Sequence, residues 1–296
     1  MSKALVIGLN PSWQRIVELD ALRPGEVHRA RDSKTLASGK GMNAAKALKR
    51  LGHKVTLLQI LAGENGKRCL KACEELGIRS LHVFAEGETR VCTTLLEENG
   101  QATEVIEPFS VSKPETKARL LDLIDPIFPD AYDAILVCGA IPEGLPESTY
   151  RDLLKPVRAP LLVWDSATGL LPELLGRISW IKVNAREYPR LLPSLGQGKP
   201  PPTLVTDGPN PAQVLHSRGA DGIYPVPELT GIINPIGSGD AAAAALADGL
   251  LRKMGEEGAV RHALAVGAAS CLSLEPAAWD VAMAARCEAE MAREAA

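Results

Sequence analysis

Apolar and polar positions follow two periods along this chain. Short, nearly continuous apolar runs read as buried strands at Lys3–Leu9, Val55–Leu61, Ala134–Cys138, Leu161–Trp164, Trp180–Val183, Thr203–Thr206 and Gln213–His216. Helical stripes lie between the early runs. Gly39–Leu51 puts Ala44, Ala47, Leu48 and Leu51 on one face and stops at Gly52, and Glu64–Leu76 stops at Gly77. This alternation predicts an α/β fold: a mostly parallel central sheet with helices on both faces. Two stretches break it. Trp13–Arg31 and Thr89–Glu107 read as antiparallel strands, and Asn99-Gly100 between Arg90–Glu97 and Ala102–Ile106 is a hairpin turn signal. They predict a small β flap beside the sheet, formed by about 11–35 and 88–108. Gly196–Pro202 reads as a loop. The last third reads as helices over Ser238–Met254, Gly258–Leu272 and about Pro276–Arg293, with the alanines at 241–245 favouring the first.

Composition narrows the function classes. With 296 residues, 46% of them hydrophobic and 23% charged, the chain can bury a large core, and 1–296 is expected to form a single domain. A net charge of −3 gives no reason to expect a nucleic-acid surface. No apolar run approaches a membrane span, and the run Ala4–Ile7 is too short for a signal peptide. Six cysteines without a CxxC pair read as free thiols, which suits a reducing cytosol and a cytoplasmic location.

The densest chemical signal is Asn234-Pro-Ile-Gly-Ser-Gly-Asp240, running directly into the alanine helix. Glycines let the backbone turn tightly and approach a ligand, and the free N–H groups and helix dipole make an anion site suited to a moving phosphoryl group. Asp240 there can accept the proton of an attacking hydroxyl; equally, Ser238 or Asp240 can cap the helix. A loose G-x-G-x-x-A match at Gly237–Ala242 lacks the strand and the downstream acidic residue of a dinucleotide site, and no Walker A loop is present.

With these residues in view, the chain resembles the ribokinase-like (PfkB) carbohydrate kinases over about residues 3–272. The segment 234–240 is similar to that family's C-terminal signature, nearest to its 1-phosphofructokinase and tagatose-6-phosphate kinase branch. Ser38-Gly-Lys-Gly-Met-Asn43, Gly87-Glu-Thr-Arg90, Cys138-Gly-Ala-Ile-Pro, Trp164-Asp-Ser-Ala-Thr-Gly169, Lys182-Val-Asn-Ala-Arg-Glu187 and Thr206-Asp-Gly208 follow the family's landmarks in order. The resemblance implies a ribokinase-like fold with a β lid. It makes Asp240 the catalytic base, with Gly237, Ser238 and Gly239 as the backbone anion hole. Gly39, Lys40, Asn43, Arg90 and Gly139 would face a sugar phosphate. Lys182, Asn184, Thr206 and Gly208 would serve ATP, with Asn184 and Glu187 organising Mg²⁺ through water. Asn184 and Glu187 also fit a helix-capping pair. Two copies would pair through their lids.

The chain departs from the branch in two places. Gln14 stands where the family usually has an aspartate that holds two sugar hydroxyls, and Ser38 replaces a glycine. These weaken the substrate assignment more than the reaction class. The implied activity is phosphorylation of a hexose phosphate by ATP. A kinase of an unphosphorylated sugar or nucleoside, or a non-catalytic sensor on the same fold, are the alternatives.

Overall fold

A computed structural model of the chain describes residues 1–109, 113–124, 132–196 and 198–294. Strands β1 (Lys3–Ile7), β4 (Lys54–Ala62), β5 (Arg79–Ala85), β8 (Ala134–Cys138), β9 (Leu161–Asp165), β10 (Trp180–Asn184), β11 (Thr203–Asp207), β12 (Asn210–Leu215) and β13 (Gly222–Tyr224) form one sheet, in the order β13-β12-β11-β10-β9-β8-β1-β4-β5. The run from β5 to β11 is parallel, and β12 and β13 close it antiparallel. The mostly parallel sheet predicted above is therefore present. Sequence reading missed β5 and β13, and of the predicted 196–202 loop Gln197 lies outside the described residues.

Apolar residues fill both faces of the strands because helices cover both. Along β1, Ala4 and Val6 face one core while Leu5 and Ile7 face the other. The first core is covered by α1 (Lys40–Arg50), α2 (Gly63–Glu75), α6 (Ser238–Leu251), α7 (Gly255–Ser270) and α8 (Val281–Glu294). The second is covered by α3 (Pro114–Ile124), α4 (Thr149–Leu154), a 3₁₀ turn at Pro172–Arg177 and α5 (Tyr188–Leu195). Apart from Asp240 and Asp248, helix α6 is apolar on every side from Ala241 onward, and residues 240–249 are buried; small alanines let it sit tightly between α1 and α7.

A second sheet has the order β3-β2-β6-β7, with β2 at Ser12–Leu19, β3 at Asp32–Ser38, β6 at Val91–Glu97 and β7 at Ala102–Ile106. This is the predicted flap, with two corrections. Its second strand in chain order, β3, begins only after the expected Trp13–Arg31 stretch and runs to Ser38, three residues beyond the expected limit of the flap. Its central pair, β2 with β6, is parallel, because the two hairpins lie side by side instead of continuing one meander.

Strand order reverses between β1 and β8. In an open parallel sheet, such a switch point opens a crevice beyond the carboxyl ends of the strands. Gly139 follows β8, Asp165 ends β9, Asn184 ends β10, and α1 and α6 present their N-termini on the same side.

Candidate active site

The turn before α6 is pinned by Asn234, which is 1% exposed. Its Nδ2 donates to the carbonyl of Leu274 at 2.9 Å, and its Oδ1 accepts the N–H of Ile236 at 3.0 Å. Gly237 adopts φ 84°, and a Cβ there would lie 2.8 Å from Pro276 Cβ and 2.9 Å from Ala277 N. No side chain fits that position. A Cβ on Gly239 would lie 2.6 Å from Lys182 Nζ, so the buried Lys182 ammonium rests against bare backbone at the start of α6. Gly237, Ser238, Gly239 and Lys182 thus form one electropositive turn.

Asp240 opens onto this turn and is 7% exposed. Asn43 Nδ2 donates to its Oδ2 at 2.8 Å, and Ser38 Oγ donates to Asn43 Oδ1 at 3.1 Å. Ser38, which stands where a glycine was expected, therefore orients the asparagine that orients Asp240. Burial pushes the Asp240 carboxyl up to about 7, the negative charge of Asp165 adds to this, and Lys40, Asn43 and Lys182 oppose it. A carboxyl near neutrality is chemically able to accept a proton at physiological pH.

Lys40 lies at the centre of the carboxylates. Its Nζ is 3.0 Å from Asp165 Oδ1 and 2.7 Å from Glu187 Oε1. Burial disfavours its charge, yet Asp165, Glu187 and Asp240 outweigh that and raise its pKa. Gly139 has φ 84°, donates its N–H to the Asp165 carbonyl at 2.8 Å, and would place a Cβ 3.4 Å from Lys40 Cβ. Asp165 is the residue sequence reading missed. It appeared only inside a weak landmark, although a carboxylate ending a central parallel strand is itself a signal.

Asn184 and Glu187 behave as the capping pair. Asn184 Oδ1 accepts the N–H groups of Arg186 (3.0 Å) and Glu187 (2.9 Å), and Glu187 Oε2 accepts the Asn184 N–H at 3.3 Å. The Asn184 oxygen is thereby committed to the turn, and Glu187 Oε1 faces Lys40. Thr206 pairs with Asn184 across β10 and β11, and Gly208 makes the next turn with open space around it. These two lie on the β10–β11 side of the crevice.

At the flap base, Arg90 Nη2 donates to the Asn10 carbonyl at 3.2 Å, while Arg90 Nε and Asn10 Oδ1 are buried without partners. Gly39, at φ 99°, packs on Asn10 and Pro11. Gln14 is 2% exposed, and its Nε2 donates to Thr94 Oγ1 at 2.5 Å. Gln14, Ser12 and Ser38 share one face of the β2–β3 pair, so a polar strip runs from Asp240 through Asn43 and Ser38 onto the flap.

Residues 1–280 match the pfkB family carbohydrate kinases. The chain belongs to the pfkB family. Among its curated relatives are 1-phosphofructokinase of Escherichia coli K12 (27% identical over 283 residues, 90% of each chain) and tagatose-6-phosphate kinase of Staphylococcus epidermidis (28% over 287 residues, 89% of this chain and 90% of the other). Both belong to the branch that the 234–240 motif resembles. Phosphofructokinase-2 from E. coli in complex with fructose-6-phosphate superposes with a TM-score of 0.81 at 19% identity, covering 99% of this chain and 100% of that one. Ribokinase from Thermotoga maritima gives 0.73 at 16% identity, covering 98% and 100%. The pfkB chain thus has the ribokinase-like α/β fold with its small additional sheet.

Proposed function

We propose that this chain transfers the terminal phosphoryl group of ATP to a hydroxyl of a hexose phosphate, as the names of its 1-phosphofructokinase and tagatose-6-phosphate kinase relatives suggest. The observation that carries the reading is Asp240. It is a buried carboxylate held by Asn43 at 2.8 Å, at the mouth of the Gly237–Gly239 turn and facing Lys40 and Asp165. The sugar lies between the sheet and the flap, along the strip formed by Asn43, Ser38 and Gln14. Arg90, with an unpartnered Nε, suits the existing phosphate, because its planar fork matches phosphate oxygens. ATP lies toward Thr206 and Gly208, with its terminal phosphate at the turn.

Asp240 accepts the hydroxyl proton while the turn's N–H groups and Lys182 stabilise the migrating group; in a loose transition state, this positioning and charge placement dominate. Magnesium supplies charge neutralisation to the phosphates when it is bound with the nucleotide. The residues fit that ion: Glu187 and Asp165 offer hard oxygen donors, and Asp165 Oδ2 is buried with no partner. Flap closure over the sugar keeps water from the phosphoryl group.

A coupled ADP-release screen over ketose and aldose phosphates with Mg²⁺ tests the reading. Asp240→Asn is expected to abolish turnover and leave sugar-phosphate affinity within a few-fold. Near-normal turnover in that variant removes Asp240 from the base role. The reading also has two copies pairing through the flap, whose outer strand leaves Val105 and Ile106 more than half exposed. A monomer at all concentrations in analytical ultracentrifugation would refute the pairing.

A further inference from the structure

Lys40 has an unusual position for a phosphate ligand. It is the first residue of α1, where the helix dipole disfavours a cation. Two carboxylates compensate for this: Asp165 Oδ1 at 3.0 Å and Glu187 Oε1 at 2.7 Å, which end or follow the adjacent strands β9 and β10. Asp165 is 1% exposed, and its second oxygen, Oδ2, is buried and unpartnered. The second oxygen of Glu187 accepts the Asn184 N–H. The ammonium therefore spans the gap between the two carboxylates, with the third carboxylate, Asp240, nearby. Among the described residues, no group of three or more His, Cys, Asp or Glu forms a ready metal cage.

We propose that Lys40 is a resident counter-cation, filling the space between Asp165 and Glu187 until a divalent cation arrives with nucleotide phosphates. A hydrated divalent ion alone gains little by entering, because the carboxylates are already neutralised, and expelling Lys40 separates its ammonium from both anions it touches. The nucleotide supplies that anion: Lys40 moves to phosphate oxygens as the ion takes the carboxylates. Metal and nucleotide then bind with positive coupling, and the coupling is reciprocal. The residue thus discourages metal loading of an empty site. The proposal rests on the nucleotide placement given above but needs no sugar and no turnover, so its failure is separable from a failure of the hexose phosphate screen.

The test is Mn²⁺ binding to the full chain, read from the electron paramagnetic resonance signal of free Mn²⁺ without nucleotide. Lys40→Gln keeps a neutral hydrogen-bonding side chain and should bind Mn²⁺ about tenfold or more tightly than the wild type. Lys40→Arg should stay at the wild-type value. The double variant Lys40→Gln with Glu187→Gln should lose the gain. In the wild type, a non-hydrolysable ATP analogue should raise Mn²⁺ affinity about tenfold or more, and less so in Lys40→Gln. Circular dichroism and a cooperative melt confirm that the variants fold. If Lys40→Gln does not fold, Lys40→Met takes its place with the same expected gain. Equal Mn²⁺ affinity in Lys40→Gln and wild type overturns the proposal. So does wild-type binding that is as tight without the analogue as with it.

Discussion

Replacing Gly239 by alanine adds one methyl group in the first turn of α6, where the new carbon would stand 2.6 Å from Lys182 Nζ. The obstacle is the far end of a flexible side chain, so the backbone need not move, and Gly239 is not among the glycines with positive φ. Alanine in place of glycine in a helix is favourable by up to about 1 kcal/mol. Stability should therefore hold or rise slightly, with Tm within a few degrees of wild type. Function should not hold. The Lys182 ammonium must retreat by about 1 Å from the turn proposed to receive the phosphoryl group, and a misplacement of that size costs about 10- to 100-fold in rate. Gly237→Ala is the contrasting case. At φ 84°, with Pro276 and the Ala277 backbone at 2.8 and 2.9 Å, it incurs about 1–2 kcal/mol of left-handed strain and about 1–3 kcal/mol of overpacking. The assay is steady-state ADP release beside a thermal melt of each variant. Gly239→Ala with wild-type kcat would show that Lys182 does not support the reaction from its present place. Gly239→Ala with a melt as depressed as that of Gly237→Ala would show that the backbone, and not the ammonium, gives way.

Other perturbations read different parts of the site. With the Asp240 carboxyl near 7, kcat/KM should fall on the acid side with a midpoint close to neutrality. Asp165→Asn removes the second-largest upward push and should move that midpoint down by about one pH unit; an unmoved acid limb would refute the assignment. Arg90→Gln should raise KM for the sugar phosphate about tenfold or more with little change in kcat, and an unchanged KM would place the phosphate elsewhere. Far from the crevice, Asp248 is buried and accepts hydrogen bonds from His53 Nε2 (2.9 Å), His262 Nε2 (2.9 Å) and Arg252 Nε (2.8 Å), while Glu288 meets the other nitrogen of His262. Burial disfavours the His262 charge, but Asp248 and Glu288 raise its pKa to about 9. A histidine pKa raised on folding contributes stability below about 6.5 that is lost as pH climbs through 9, on the order of 3 kcal/mol. The melting temperature should decline over that window, and His262→Gln should flatten the decline; a flat wild-type curve would refute the pairing.

The sequence carried the sheet well where burial dictates composition. Ala134–Cys138 is apolar on both faces and was legible to the residue, and α6 begins at Ser238 as its glycine turn indicated. Strands with an exposed face were harder. The segment Asp32–Ser38 is polar and exposed over most of its length, and Arg79–Ala85 is an edge strand mixing arginine, serine and histidine among its apolar residues. Neither shows a continuous apolar run. The parallel pairing of β2 with β6 was illegible for another reason: turn signals report which strands are joined by a hairpin, not how two hairpins lie together. The ion pairs of Lys40 span 125 and 147 residues, a separation no local spacing reveals. Asn184 and Glu187 were read with both a capping and a metal role, and only side-chain geometry shows that the Asn184 oxygen is already committed.

In the proposed reading, reaction and substrate choice fall on different parts of the fold. Asp240, Asp165, Glu187 and Lys182 sit on strand ends and a helix start, anchored in two cores that leave them little freedom. The polar strip through Asn43 and Ser38 runs onto a four-stranded flap whose edge strands are largely exposed. At its end, Gln14 has its amide nitrogen bonded to Thr94. That leaves one N–H and the carbonyl oxygen for a ligand hydroxyl, where a carboxylate would offer acceptors alone. On the proposed reading, a change there would alter which hydroxyl is read without moving Asp240 or the 237–239 turn. Turnover should accordingly survive Gln14→Leu with the ranking of hexose phosphates changed, and a ranking that stays fixed in the ADP-release screen would remove Gln14 from sugar recognition.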